Sequence, residues 1–197
     1  MATEDDRRFA QLVAVACHDL RNPLATVFGF SRTLTRVELD ERAARYVSMI
    51  DAASTELGDL LDELSLVARV EAGRFAPELE DADSLELARS AAADLSEERL
   101  VVSGEGAPVQ VPERETVRAL SRLAKAAARH GGQDSVSLLV SGAELRLSPV
   151  SRTAEPVVLG TEVRELSAAA AVALIEALGG SLAVESETLV IRLPTPA

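Results

Sequence analysis

The first third of the chain carries its apolar residues at the spacing of long helices. Between residues 5 and 36 they recur at intervals of three and four, which predicts one helix. Between residues 40 and 72 the same alternation continues without a break and is typical of a coiled-coil-like seam. Gly73 follows at the position of a C-terminal cap. The pattern therefore predicts two long helices joined by a short turn near residues 37–40.

The apolar stripe of this helical hairpin is wider than two helices can bury against each other. A second copy of the hairpin, related by a two-fold axis, covers the remainder and completes a four-helix bundle. We therefore expect residues 1–73 to form a homodimeric domain. The stripe consists of Phe9, Leu12, Val13, Ala16, Leu20, Leu24, Val27 and Leu34 on the first helix and of Ala43, Val47, Ile50, Ser54, Leu57, Leu61, Leu64 and Ala68 on the second.

The rest of the chain has a mixed pattern of short strands and helices. Residues 74–83, where Pro77 and a run of acids interrupt both periods, are predicted to be a linker. Beyond it the interleaved elements indicate a mixed sheet packed on helices, in a second domain at 84–197. The predicted fold class is α plus α/β. Strands are predicted at 100–102, 109–111, 136–140, 144–147 and 182–191, and helices at 84–95, 112–130 and 162–178.

Composition narrows the class of partner. The chain has 197 residues, a net charge of -12 and a pI near 4.7, which argues against nucleic acid or an anionic membrane, since both require clustered Lys and Arg. No apolar run is suited to a membrane span, and the charged N-terminus lacks the apolar centre of a signal peptide. The single cysteine, Cys17, excludes an intramolecular disulfide. We therefore expect a cytoplasmic protein.

The segment HDLRNPL, His18–Leu24, carries the candidate chemistry and lies in the middle of the first predicted helix. Leu20 and Leu24 belong to the apolar stripe, so His18 is expected to project to a different side and to be solvent-accessible. Asn22, four residues further along, lies on the same helical face as His18.

His18 and its neighbours suit phosphoryl transfer. A neutral imidazole nitrogen is a competent nucleophile toward phosphorus. Asp19 can orient the other ring nitrogen or accept its proton, and Asn22 can hold a water for attack on a phosphorylated partner. Arg21 can steady phosphate oxygens. Pro23 removes the backbone donor to the carbonyl of Asp19 and predicts a bend just past the histidine.

Each of these residues also has an ordinary explanation. A lone histidine on a helix surface is usually solvated, Asp19 and Arg21 are common surface charges, and Pro23 produces a kink wherever it occurs in a helix. Taken singly, these explanations suffice. Seven residues in this order favour a motif instead.

The segment resembles the H-box of sensor histidine kinases, a His-acid-Leu-Arg-polar-Pro-Leu sequence on the first helix of a dimeric bundle. Residues 60–75, LLDELSLVARVEAGRF, are similar to the end of that family's second helix and the start of its linker. Residues 111–117 and 176–180 resemble parts of its ATP-binding domain, which is a GHKL-type α/β sandwich. The resemblance therefore implies a phosphotransfer bundle followed by a kinase-like domain.

The resemblance also implies roles for individual residues. In that family the histidine is phosphorylated, so His18 corresponds to the phosphoacceptor and Asp19 to the acid beside it. Asn22 corresponds to the polar residue linked to dephosphorylation.

The ATP-binding residues of the family do not carry over. Its two helix asparagines fall on Arg122 and Ala126, and an alanine has no oxygen for Mg²⁺. Residues 148–152, SPVSR, replace an Asp-x-Gly-x-Gly segment. Glu165 occupies a second glycine motif, where its charge opposes a triphosphate. The resemblance therefore implies a degenerate ATPase domain without an intrinsic cofactor.

These inferences favour a histidine phosphotransfer protein of a two-component phosphorelay. The expected reaction passes a phosphoryl group between His18 and aspartates of response-regulator receiver domains, with Mg²⁺ supplied by the receiver. Three alternatives stay open: an ATP-dependent sensor kinase, a pseudokinase scaffold that binds response regulators, and a phosphatase that depends on Asn22. His130, at a predicted helix end, is interpreted as a capping or surface residue without a metal role.

Overall fold

The chain folds as two compact units, Met1–Arg74 and Phe75–Ala197. The structure is a computed structural model that describes residues 4–95 and 99–196. None of the helices it describes is both long and apolar enough to cross a membrane.

The first unit is a hairpin of two 31-residue helices, α1 (Glu4–Leu34) and α2 (Glu41–Glu71). α2 begins where the carboxylate of Asp40 accepts a hydrogen bond of 2.8 Å from a backbone N–H one turn later. It ends in a Schellman motif with Gly73 in the left-handed conformation, at a φ of 66°. Both predicted helices and the glycine cap are therefore confirmed, with ends within two residues of those predicted.

The interior of the hairpin is a narrow seam of mostly small side chains. Ala10 and Cys17, seven residues apart on α1, are buried against α2. Leu20, a member of the predicted apolar stripe, is 56% exposed in the single chain. The exposed apolar residues of this unit are Phe9, Leu12, Val15, Leu20, Val27, Phe30, Leu34, Val37, Tyr46, Met49, Ile50, Leu57 and Leu60.

The described residues of the second unit, 75–95 and 99–196, form seven strands and four further helices. The strands are β1 (Glu80–Asp83), β2 (Leu100–Gly106), β3 (Pro108–Val111), β4 (Val136–Gly142), β5 (Glu144–Ser148), β6 (Ser181–Glu185) and β7 (Thr188–Arg192). The helices are α3 (Ser84–Leu95), α4 (Glu113–Gly131), α5 (Glu155–Val158) and α6 (Leu166–Ala177).

Five of these strands form one mixed sheet in the order β2-β4-β5-β7-β6. The β2–β4 pair is parallel and the other pairs are antiparallel, while β1 and β3 form a separate antiparallel ribbon. Side chains alternate along β4, where Leu138 and Val140 are buried and Ser137 and Leu139 are exposed. The buried face packs under the helices, which bury alanine-rich sides of their own. The α plus α/β class is confirmed.

Several elements of this unit differ from the sequence-based expectation. β1 lies within the stretch predicted to be a linker. The single stretch predicted at 182–191 is a hairpin that turns at Ser186 and Glu187, both at positive φ. α6 begins at Leu166 and not at residue 162, because the backbone of Glu165 is extended, at a φ of -143°. α5 was not predicted.

Candidate functional site

His18 lies in the middle of α1, on the surface of the hairpin. Its neighbour Cys17 is buried, and the next residue projects about 100° further round the helix. The His18 side chain is accordingly 74% exposed. Because Cys17 faces the interior, His18 faces solvent, where a large partner can reach its imidazole.

Asp19 contacts one nitrogen of this imidazole. Its Oδ1 lies 3.3 Å from Nδ1 of His18, and both side chains are largely exposed. In the tautomer that carries hydrogen on Nδ1, that N–H donates to the carboxylate and Nε2 keeps its lone pair. Among the described residues none bonds Nε2, so this nitrogen can act as a nucleophile.

Arg21 links the site to the second helix. Its guanidinium donates a 2.7 Å hydrogen bond to the carboxylate of Asp62 on α2. Both side chains are about half-exposed. The pair therefore fixes the direction of Arg21 at the surface, one helical turn beyond His18.

Asn22 is exposed, and its spacing from His18 places it on the same face of α1. Its backbone carbonyl accepts a 3.3 Å hydrogen bond from the Thr26 hydroxyl. α1 continues through Pro23 without interruption. The structure thus places His18, Asp19, Arg21 and Asn22 within two turns of one helix, all at the surface.

Cys17 has no part in this surface. Its side chain is buried in the hairpin seam, and burial raises the pKa of its thiol, an effect that the positive charge of Arg21 partly opposes. The thiol is therefore protonated and inaccessible at neutral pH.

A second cluster of charged residues lies in the other unit, where α6 begins near the end of α4. The carboxylate of Glu165 contacts Nε2 of His130 at 3.2 Å and the guanidinium of Arg129 at 3.4 Å. The side chains of His130 and Glu165 are only 19% and 14% exposed. The interpretation of His130 as a simple cap or surface residue is therefore wrong: it is a partly buried partner of a carboxylate.

The loop that follows β5 is tied to the same end of α4. The Thr153 hydroxyl donates a 2.7 Å hydrogen bond to the carbonyl of His130 and shares another with Ser151. Ala126, one turn earlier on α4, is fully buried. These positions are therefore occupied by internal contacts of this unit.

The contacts of Glu165 could not be predicted from the sequence, because these partners are far apart along the chain. Glu165 and His130 are separated by 35 residues and belong to different elements. No periodicity connects them, although each residue was singled out for a separate reason. No group of three or more potential metal ligands occurs within residues 4–95 and 99–196.

The chain is similar to several proteins of known type. Residues 10–73 match the HisKA family, described as the His Kinase A (phospho-acceptor) domain. A 79-residue stretch is 34% identical to the sensor protein DivL of Caulobacter vibrioides, covering 40% of this chain and 10% of DivL. The match therefore concerns less than half of this chain and only a small part of that relative.

Two solved structures share the fold. The full-length crystal structure of ShkA in complex with AMPPNP superposes with a TM-score of 0.68 at 21% identity, covering 95% of this chain and 46% of ShkA. The histidine kinase AdeS of Acinetobacter baumannii gives 0.57 at 18% identity, covering 91% of this chain and 98% of that structure. At these identities the likeness concerns the fold alone, and the chain spans less than half of ShkA.

Proposed function

Since this chain belongs to the sensor histidine kinase family and carries its phospho-acceptor domain at residues 10–73, we propose that it is a histidine phosphotransfer protein of a two-component phosphorelay. His18 takes a phosphoryl group from an aspartyl phosphate of one response-regulator receiver domain and gives it to the aspartate of another. The observation that carries the proposal is a largely exposed imidazole whose Nδ1 lies 3.3 Å from the Asp19 carboxylate.

The reaction follows from this geometry. Nε2 of His18 attacks the phosphorus as the bond to the aspartyl oxygen breaks, and the receiver's aspartate leaves as a carboxylate. The ring then carries a proton on Nδ1 and a phosphoryl group on Nε2, and the negative charge of Asp19 stabilises it. Reversal of the same step on a second receiver completes the transfer.

ATP has no role in the proposed reaction. In the kinase-like unit, the buried methyl group of Ala126 offers no oxygen to Mg²⁺. Glu165 presents a carboxylate where the family has glycines, and it is already paired with His130 and Arg129. These residues do not fit a magnesium–nucleotide complex. The Mg²⁺ that phosphoryl transfer requires is supplied in this proposal by the acidic pocket of the receiver.

The working protein is a homodimer formed through the hairpins. Thirteen large apolar residues are exposed in the single chain among the residues of the first unit whose burial is described, including Phe9, Leu12, Phe30 and Met49. A soluble surface rarely carries so many, and a second hairpin buries them in a four-helix bundle. The net charge of -12 favours protein partners over nucleic acid or an anionic membrane, and we place the dimer in the cytoplasm.

Labelling with a phosphorylated receiver tests the proposal. A receiver domain carrying a radioactive aspartyl phosphate is mixed with the full chain in Mg²⁺ buffer without nucleotide, and acid-labile, base-stable label is expected on His18. His18→Ala should abolish it. Absence of transfer to the wild-type chain from every receiver of the host would refute the proposal.

An ATP-dependent sensor kinase is the second candidate, because the overall fold of the catalytic domain is retained and ShkA, with a similar fold, was solved with AMPPNP. Incubation with radioactive ATP and Mg²⁺ distinguishes the two functions. Label on His18 without any receiver present would replace the proposed function by this one.

A further inference from the structure

Arg21 is the cation nearest in sequence to His18 on α1. No other Lys or Arg occurs between Arg8 and Arg32. Residues three apart on a helix are neighbours on its surface, so Arg21 and His18 share a face. An arriving phosphoryl group carries about two negative charges, and Arg21 is positioned to meet them.

The contact with Asp62 restricts what Arg21 can do. One terminal nitrogen of its guanidinium is held by Asp62 at 2.7 Å, across the hairpin on α2. A guanidinium has five N–H donors in a planar fork, so this single bond leaves other donors directed to solvent. An arginine without such a partner samples many rotamers and loses that freedom when it binds phosphate.

The ion pair contributes little to stability. Both side chains are about half-exposed, and solvent screens ion pairs of this kind so that they contribute little to folding. Orientation of the guanidinium is therefore the larger consequence of the contact.

We propose that Asp62 is a positioning residue for phosphoryl transfer, which holds the guanidinium of Arg21 ready to bind the oxygens of a phosphoryl group at His18. The inference rests on the proposed function, since it concerns the same histidine. It assigns a role to α2 in a reaction whose nucleophile lies on α1.

Chemical phosphorylation tests the inference without any partner protein. Phosphoramidate phosphorylates histidine directly: the P–N bond of the reagent breaks, ammonia leaves, and a bond from phosphorus to Nε2 forms. The initial labelling rate of His18 is measured in the full chain and in Asp62→Ala, Asp62→Asn and Arg21→Ala. We expect both Asp62 variants to react about two- to fivefold more slowly than wild type.

A double-mutant comparison separates positioning from a structural role. If Asp62 acts through Arg21, Asp62→Ala slows the wild-type chain but not a chain that already carries Arg21→Ala. Glu41→Ala is the matched control, because it removes an exposed carboxylate that pairs with Arg45 near the start of α2. The control should leave the rate unchanged, and circular dichroism should give the same helix content for all variants.

Two results would overturn the inference. A labelling rate of Asp62→Ala that equals or exceeds the wild-type rate would show that the pair is neutral or withholds Arg21 from phosphate. Additive losses in the double variant would show that Asp62 acts independently of Arg21. Slower labelling by phosphoramidate, together with no labelling by any phosphorylated receiver, would instead support the inference while refuting the proposed function.

Discussion

The carboxylate of Glu165 lies 3.2 Å from Nε2 of His130, and this contact joins the start of α6 to the end of α4. Arg129 reaches the same carboxylate oxygen. Burial of a carboxylate among apolar residues is costly unless it is paired, and here two potential cations supply the pairing. The cluster therefore stabilises the arrangement of two helices that, in the proposed function, no longer hold a nucleotide between them.

Removal of this carboxylate should destabilise the second unit. Glu165→Ala leaves the half-buried ring of His130 without its partner, and we expect the free energy of unfolding to fall by about 1–2 kcal/mol. Urea denaturation measures the change. Glu162→Ala is the control, because Glu162 pairs with Arg164 at an exposed position and its loss should change stability far less. If both variants lower the free energy of unfolding equally, the contacts of Glu165 do not stabilise the second unit.

The same cluster predicts that the chain does not bind ATP. Titration calorimetry with millimolar ATP and Mg²⁺ should give no binding heat, because Glu165 repels phosphate and Ala126 cannot hold the metal. The single variant Glu165→Gly should also fail to bind, since it restores no oxygen ligand at residue 126. A dissociation constant in the micromolar range for the wild-type chain would contradict both parts of this prediction.

The helical hairpin could be predicted from the sequence almost to the residue, because its determinants are local. An apolar period fixes each helix, and Gly73 ends α2 since a glycine adopts a φ of 66° without strain. Whether Leu20 is buried or exposed in a single hairpin could not be predicted with the same accuracy. The apolar stripe includes residues that pack within one hairpin and residues that, in the proposed dimer, pack between two hairpins. The sequence does not distinguish these two groups.

The elements that were missed depend on contacts made elsewhere in the fold. The β6–β7 turn uses Ser186 and Glu187 at positive φ, where glycine or asparagine is the usual signal. β1 is rich in acids and forms only because β3 pairs with it. For the candidate site, local sequence placed His18 and Asp19 together, whereas Asp62 was not identified because its partner lies 41 residues away.

Asn22 should affect hydrolysis more than transfer. In the proposed function its amide orients a water for attack on phosphohistidine, while transfer to a receiver needs no water. Asn22→Ala is therefore expected to lengthen the lifetime of phosphorylated His18 about tenfold and to leave the transfer rate within about twofold of wild type. The measurement is loss of label with and without an acceptor receiver. Thr26→Ala, one turn further along, is the control, and parallel slowing of both reactions would argue against a water-directing role.

Glu144 gives the second unit a specific dependence on pH. Hydrogen bonds from Arg146 (2.8 Å) and Arg192 (2.9 Å) lower the pKa of its carboxyl below the usual value. A carboxyl whose pKa is lower in the folded than in the unfolded chain stabilises the fold at every pH above its unfolded pKa of about 4.3. This stabilisation is lost as the pH falls from there through the pKa of the folded state. Glu144→Gln should therefore lose less stability than wild type between about pH 5 and pH 3.

The control for this measurement is Glu78→Gln, which changes an exposed carboxylate of the same unit. Its stability profile between neutral and acid pH should follow that of the wild type. If Glu144→Gln also follows it, the ion cluster around Glu144 does not contribute to the acid sensitivity of the fold.

The exposed apolar face of the hairpin allows a test of the proposed dimer. Leu57 on α2 is half-exposed in the single chain, and in a four-helix bundle it is buried against the second copy. Leu57→Glu places a charge in that interface, where burial of an unpaired carboxylate outweighs the apolar contacts of neighbouring residues. We expect the dissociation constant of the dimer to rise at least about a hundredfold, measured by sedimentation equilibrium. Ser48→Glu adds the same charge at an exposed polar position of α2 and should leave the dimer intact. If Leu57→Glu remains as dimeric as Ser48→Glu, the hairpins do not associate through this face.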